Sequence, residues 1–323
     1  FFLCASMSSL LSMAAPVTAM LVVARSIQGV IRRFYMGRRV VRCLQADAAK
    51  KERESSPQIA RKDLIRKLLK GIETGDSEAA SVVSEEKYIQ HNPQTREGGE
   101  GLAALFKRLS KTNPRVNIVR AYEDGDFVFA HTEYDFSTRN IGFEIFRFEG
   151  NVAVEHWDNI QPRQGPNASG RSMVDGPTES KDIDLTETNK KLVRSFVMEV
   201  LIGRSQENLH LYLSEKRGLL QHSPEMIDRI AAFRSRFHEA PLGKRQAVQY
   251  DHLHRVLAEG NFVLTVCEGI GDGVHTSFFD LYRVDNGSIV EHWDTVEAVP
   301  PRSSWKNENG KFLGLKLGAE SKD

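Results

Sequence analysis

A histidine and an aspartate two residues apart, with a tryptophan between them, occur twice in this chain, as Glu155-His156-Trp157-Asp158 and Glu291-His292-Trp293-Asp294. Alternate side chains of a strand share a face, so His156 and Asp158 point one way and Trp157 the other. Glu144 has the same parity across the preceding turn, as does Asp280 in the second stretch; the turn leaves their final direction open. A histidine with one or two carboxylates in an apolar setting is an acid/base set. It can take a proton from the carbon next to a carbonyl and return one elsewhere, help worth about 10²–10⁴-fold. Asp158 would be the base on carbon, His156 or His91 the donor to the developing enolate oxygen, and His131 an auxiliary. Asp294, His292 and His222 hold the matching places in the second stretch.

The elements that must position these groups are themselves duplicated. Ile145–Asp158 aligns without a gap on Leu281–Asp294, Gln90-His91-Asn92-Pro93 matches Gln221-His222-Ser223-Pro224, and Asp124-Gly-Asp-Phe-Val128 matches Glu259-Gly-Asn-Phe-Val263. Three blocks in one order mean an internal duplication of a unit about the size of a domain. In the first unit Leu64, Leu68 and Ile72 predict an amphipathic helix, Ser77–Glu86 a second, and Leu102–Leu109 a third. Strands follow from Val116, over 127–134, and as a hairpin of 141–149 with 152–161. The second unit opens with a helix through Leu192, Phe196 and Val200, with Thr186 or Thr188 as N-cap. A helix through Met226, Ile230, Phe233 and Phe237 comes next, then strands over 247–257, 261–268, 275–284 and 288–298, with Asp285-Asn286-Gly287 as a hairpin turn. Helices followed by an antiparallel sheet indicate α+β. The boundaries are a leader at 1–55, domains at 60–163 and 187–302, a Gly/Pro-rich linker at 164–186 and a tail at 303–323.

Composition narrows the chemistry. The 323 residues are 40% hydrophobic and 27% charged, as in a water-soluble globular chain. Residues 1–46 carry six of the 44 basic residues and no acid, which leaves 38 basic against 43 acidic in the rest. A weakly acidic body is a poor surface for phosphate backbones, so no nucleic-acid partner is expected. Cys4, Cys43 and Cys267 form no Cys-x-x-Cys, which argues against a thiolate zinc site, and no glycine-rich phosphate loop follows a strand. A mixed metal site from His131-x-Glu133 and His156-x-Asp158 with His91, or from His252-x-His254 and His275, is imaginable. Those histidines are not in register between the units, so no metal is expected. The leader, rich in Ser and Arg, has the composition of a mitochondrial or plastid transit peptide; its uncharged first 24 residues also allow a signal-anchor or secretory segment.

Tyr88-Ile-Gln-His-Asn-Pro93, the Gly-Asp-Phe-Val strand and the Glu-His-Trp-Asp hairpin resemble the SnoaL-like polyketide cyclase family of the NTF2-like superfamily, over roughly 64–162 and 190–300. The resemblance implies two cone-shaped α+β barrels, each with helices packed on a curved, mostly antiparallel sheet around a pocket. It implies an aspartate acid/base at Asp158 and Asp294, helped by a histidine, acting without a cofactor as a cyclase, isomerase or dehydratase, that is a lyase or an isomerase, on a small apolar carbonyl compound. Members usually carry Asp where Glu144 stands, and the histidine matched by His131 is Val266 in the second unit, so neither unit keeps the full set. Trp157, Trp293, Phe129 and Tyr134 are candidate pocket residues, with both tryptophans equally readable as packing anchors. Glu155 and Glu291 read as solvated strand-edge charges, Arg147 and Arg283 as their partners. A non-catalytic carrier of a hydrophobic molecule and a pseudo-dimeric assembly protein, paired within the chain or as a homodimer, are the competing functions.

Overall fold

The computed structural model describes residues 60–235 and 248–315. The leader, with Cys4, Cys43 and any targeting role, lies outside them, as does Phe237. Strands β2 (Arg115–Asp124), β3 (Phe127–Asp135), β4 (Arg139–Glu149) and β5 (Val152–Pro162) form an antiparallel meander, and β1 (Ile89–Gln90) adds to β5 in parallel. The second half repeats this with β7 (Gln249–Glu259), β8 (Phe262–Gly271), β9 (Val274–Asp285) and β10 (Ser288–Ala298), and β6 (Leu220–Gln221) parallel to β10. Asn286 and Gly287 both adopt positive φ, 46° and 73°, the conformation a two-residue hairpin turn needs.

Helices α1 (Arg61–Thr74) and α2 (Gly98–Leu109) cover one face of the first sheet; α3 (Thr186–Phe196) and α4 (Ile230–Ser235) belong to the second half. Ser77–Glu86 yields only a 3₁₀ turn, Ser77–Val82, because Val83 already bridges to Ala153 of β5. Thr186 does not cap α3. Its hydroxyl donates to the Ile183 carbonyl at 2.6 Å and accepts the Gly260 amide at 2.8 Å, tying the helix start to the β7–β8 turn.

Each sheet buries both faces. Val128, Tyr134, Phe146 and Phe148 of the first sheet pack on Ile65, Leu68, Leu69 and Phe106 of its helices. Phe129, Phe143, Ile145 and Trp157, on the opposite face, pack on Phe262, Leu264, Phe279, Leu281 and Trp293 of the second sheet. The contacts between the halves occur in exchanged pairs. Lys62 bonds Glu259 and Lys190 pairs with Asp124. The Glu123 amide donates to Glu259 and the Ala258 amide to Asp124. The Ile160 amide donates to Glu297 and the Val296 amide to Gln161. A two-fold interface has this property: if residue i meets j, then j meets i.

The stretches after β5 and β10 are straps as well as a linker and a tail. After β5, Asn167 donates to the carbonyls of Gln221 and Ser223, Ser172 offers its carbonyl to His222, and the Asp175 carbonyl accepts from Trp293. After β10, Asn307 donates to the carbonyls of Asn92 and Thr95, Gly310 offers its carbonyl to His91, and the Leu313 carbonyl accepts from Trp157. Each strap thus lies on the other half. Gly176 and Gly314 end the two docked runs at φ 93° and 80°. A Cβ there would stand 2.7 and 2.5 Å from a glutamate oxygen of Glu291 or Glu155, and 2.8 and 3.1 Å from the Trp293 or Trp157 ring. Gly176→Ala and Gly314→Ala are each expected to lower stability by about 1–3 kcal/mol, read as a lower urea midpoint at unchanged m-value.

Candidate functional site

The two repeated sequence blocks are hydrogen-bonded neighbours. Ile89 and Gln90 pair with Glu155 and His156, and Leu220 and Gln221 pair with Glu291 and His292. The strand continues one bond further, with the His91 amide on the His156 carbonyl and the His222 amide on the His292 carbonyl, both at 2.9 Å. Alternation then decides every side chain. Gln90 lands beside His156 on the helix-covered face, while His91 goes to the other face with Glu155 and Trp157.

On the helix-covered face Glu144 lies directly across from Asp158, and Asp280 directly across from Asp294. The ligand-type atoms of Glu144, His156 and Asp158 lie within 4.8 Å of one another, as do those of Asp280, His292 and Asp294, and all six residues are buried. His156 Nε2 meets Glu144 Oε2 at 2.6 Å, and its Nδ1 meets Gln90 Oε1 at 2.9 Å. Gln90 Oε1 also accepts the Asn92 backbone N–H at 2.9 Å. A backbone N–H can only donate, so this atom must be the amide oxygen, and His156 Nδ1 must carry hydrogen. The histidine's carboxylate partner is Glu144 rather than Asp158, and the hydrogen between them lies on the Nε2–Oε2 axis. The second half repeats the arrangement: His292 Nε2 to Asp280 Oδ1 at 2.9 Å, and Nδ1 to Gln221 Oε1 at 2.8 Å.

A tyrosine hydroxyl donates to the carboxylate in each half, from different strands. Tyr134 of β3 reaches Glu144 at 2.6 Å, and Tyr250 of β7 reaches Asp280 at 3.1 Å. Burial, then the Glu144 charge, holds the Tyr134 phenol protonated well above its ordinary range. Phe146 stacks on His156 at 4.4 Å, and its counterpart Tyr282 stacks on His292 at 4.9 Å. Each site keeps a buried hydroxyl with no hydrogen bond among the described residues, Tyr88 in the first and Tyr282 in the second. Asp158 Oδ2 accepts from Asn92 Nδ2 at 2.6 Å, and Lys311 Nζ stands 3.5 Å from its Oδ1. A separate open groove of about 520 Å³, lined by charged residues including Lys70, Arg115, Glu133 and Arg163, does not include either trio.

The structure corrects several placements. His91 and His222 are not with the trios. His91 Nε2 bonds Glu155 at 3.0 Å and stacks on Trp157 at 4.7 Å; His222 bonds Glu291 at 2.8 Å and stacks on Trp293 at 4.6 Å. Glu155 and Glu291 are accordingly buried, not solvated, and also bond Arg147 and Arg283 at 2.7 Å. Burial opposes their charge, but the histidine and arginine partners outweigh it and hold both carboxyls below the usual range. Trp157, Trp293 and Phe129 line the inter-sheet core rather than a pocket with the trios; of those four aromatic residues only Tyr134 touches the site. His131 faces the inter-sheet core too, paired across from Arg120 and stacked on Phe143 at 4.4 Å. The imagined metal sets are not assembled: His254 and His275 instead clamp Glu268, each at 2.7 Å. The trios themselves carry a mixed nitrogen–oxygen donor set in register, although each histidine Nε2 already sits at hydrogen-bond distance from its carboxylate. Sequence reading missed Gln90, Gln221, Asn92, Tyr250 and Lys311.

The chain matches no family model and no curated protein. Solved structures similar to it are NTF2-like and polyketide cyclase proteins. TsrD from Streptomyces laurentii is 20% identical over 31% of this chain and 86% of its own, with a TM-score of 0.28. A putative polyketide cyclase from Bacillus cereus is 18% identical over 30% of this chain and 72% of its own, with a TM-score of 0.28. A hypothetical protein with a ketosteroid isomerase-like fold from Catenulispora acidiphila, in complex with trimethylamine, is 18% identical over 29% of this chain and 82% of its own, with a TM-score of 0.26.

His131 offers a pH test. Neither ring nitrogen has a hydrogen bond among the described residues, and burial, with Arg120 and His222 nearby, pushes its pKa well below the ordinary value. The folded state keeps it neutral while the unfolded chain protonates near pH 6.5. Its contribution is whole above that pH and is lost as pH falls below it. His131→Val, the residue at the matching position 266, is expected to flatten the decline of the urea midpoint between pH 7 and pH 5.

Proposed function

We propose that the chain is a tandem of two SnoaL-like domains, 60–163 and 187–302, with cone-shaped NTF2-like barrels, and that it is a cofactor-independent acid/base enzyme acting on a small apolar carbonyl compound. The leader composition supports delivery to an organelle. The observation that carries the catalytic reading is the buried chain Gln–His–carboxylate–Tyr beside a second carboxylate, built twice from matching elements except that the tyrosine comes from a different strand in each half. Such a chain holds a proton on a known axis and keeps the histidine in one tautomer, which is what proton transfer in both directions requires. The second carboxylate takes the proton from the α-carbon. The C–H electron pair moves into the carbonyl, making an enolate oxygen, and the proton on the histidine–carboxylate axis passes to that oxygen. Delivery of a proton from the second carboxylate to carbon, with the enol O–H proton going back to the histidine–carboxylate axis as the carbonyl re-forms, restores the enzyme. Isomerisation, dehydration and ring closure all share this first step.

The step can be read without knowing the substrate. In D₂O the full chain is expected to speed deuterium entry at the α-positions of 2-tetralone, followed by NMR. His156→Ala combined with His292→Ala should reduce the rate by about 10²–10⁴-fold while the near-UV spectrum keeps its native form. Saturable binding of 2-tetralone without exchange in the unaltered protein would identify a carrier instead.

A further inference from the structure

The core between the two sheets holds a cation that its neighbours do not neutralise. Arg120 of β2 and His131 of β3 are directly paired across the strands, so their side chains leave the sheet on one face. Arg120 is 2% exposed and His131 1%. Arg120 Nη2 donates to the carbonyls of Val174 and Asp175, in the strap after β5, each at 2.9 Å. The guanidinium lies over the Trp293 ring at 4.4 Å. Its other three N–H donors, one on Nε and two on Nη1, have no hydrogen bond among the described residues, and neither has either ring nitrogen of His131. The carboxylates in its surroundings are committed elsewhere: Glu291 is shared by His222 and Arg283, and the Asp175 carboxyl is held by Ser172. Burial pulls the Arg120 pKa down to about 10, and Glu291 and Asp175 offset that only in part. At the matching places the second half pairs Arg255 with Val266, and Arg255 is only partly buried, so water reaches its charge.

A buried N–H without an acceptor is costly, and a buried charge without a counter-charge is costlier. Water would serve the donors and leave the charge. A small anion serves both, accepting from Nε–H, Nη1–H and one ring N–H while it balances the guanidinium. One net positive charge calls for a single negative one. We propose that Arg120 and His131 form a buried site for a small inorganic monoanion such as chloride, between the two halves and beside the strap after β5. The site is separate from both acid/base clusters and does not depend on their chemistry. The same guanidinium holds the Val174 and Asp175 carbonyls, so the ion fastens that strap to the first sheet and to Trp293 of the second. Its effect is on the stability of the paired halves.

Thermal unfolding of the full chain tests this at about pH 7.5, where His131 is neutral. Replacing gluconate, a bulky anion, by chloride at constant ionic strength should raise Tm by about 3 °C and then saturate. Arg120→Met should abolish the response. His131→Val, which removes one donor, should shift its midpoint to about ten-fold higher chloride. Equal melting of the unaltered protein in the two salts overturns the proposal, and so does a chloride response kept whole in both variants. Crystals of the unaltered protein grown in bromide need no variant to fold. An anomalous peak is expected within hydrogen-bond reach of Arg120 Nη1 and a His131 ring nitrogen; bromide confined to the surface, an adventitious ion only, overturns the site.

Discussion

Two carboxylates stand directly opposite each other across one strand pair, in a buried interior, and the chain does this twice. Like charges placed so are destabilising in any sheet, and burial sharpens the penalty because little water remains to screen them. Everything nearby answers that constraint. A histidine two residues from the second carboxylate bonds the first, a tyrosine hydroxyl donates to the same group, and a glutamine fixes the ring from behind. Such a cluster is stable only while each partner stays in place, so the surrounding packing must be stiff. The stacked ring of Phe146 or Tyr282 and the helix layer supply that stiffness.

The two-residue strands β1 and β6 are the second constraint, because their parity sorts the motif residues between two worlds. Gln90 and Gln221 turn toward the charged cluster; His91 and His222 turn toward the interface between the sheets. There each histidine joins a glutamate, an arginine and a tryptophan in a buried network that also receives a strap from the opposite half. One short strand therefore couples the site to the interface: movement of β1 shifts both the group that orients His156 and the group that anchors Trp157.

Much of this was legible. The repeats, the strand spans, the hairpin turn at Asn286–Gly287 and the shared face of His156 and Asp158 all follow from period-two alternation and turn chemistry, which are local. The errors have one source. Placing His91 and His131 in the acid/base set rests on residue type and strand parity, and neither reveals that both faces of each sheet are covered, a fact set by the pairing of the halves. Nor does a local pattern reveal Lys311, which lies more than a hundred residues from Asp158 in a tail with no periodicity, or Tyr250, which delivers the same hydroxyl as Tyr134 from a different strand.

The exchanged contacts between the halves make the asymmetries informative. While two copies of a module pair as separate chains, every substitution falls on both sites at once, and a change that spoils one spoils the other. Joined in a single chain, the halves can diverge while the interface keeps its two-fold pairing. The interface shows that restraint: Lys62 with Glu259 answers Lys190 with Asp124, and the Glu297 and Gln161 side chains accept matching amides. The interiors show less of it. Lys311 against Met173 and Phe146 against Tyr282 fall where a side chain meets its own half's interior or a strap, not where the pairing would be lost; His131 against Val266 falls in the inter-sheet core. A chain held together by one set of contacts and altered in another has the physical means to keep one fold in both halves while their interiors diverge.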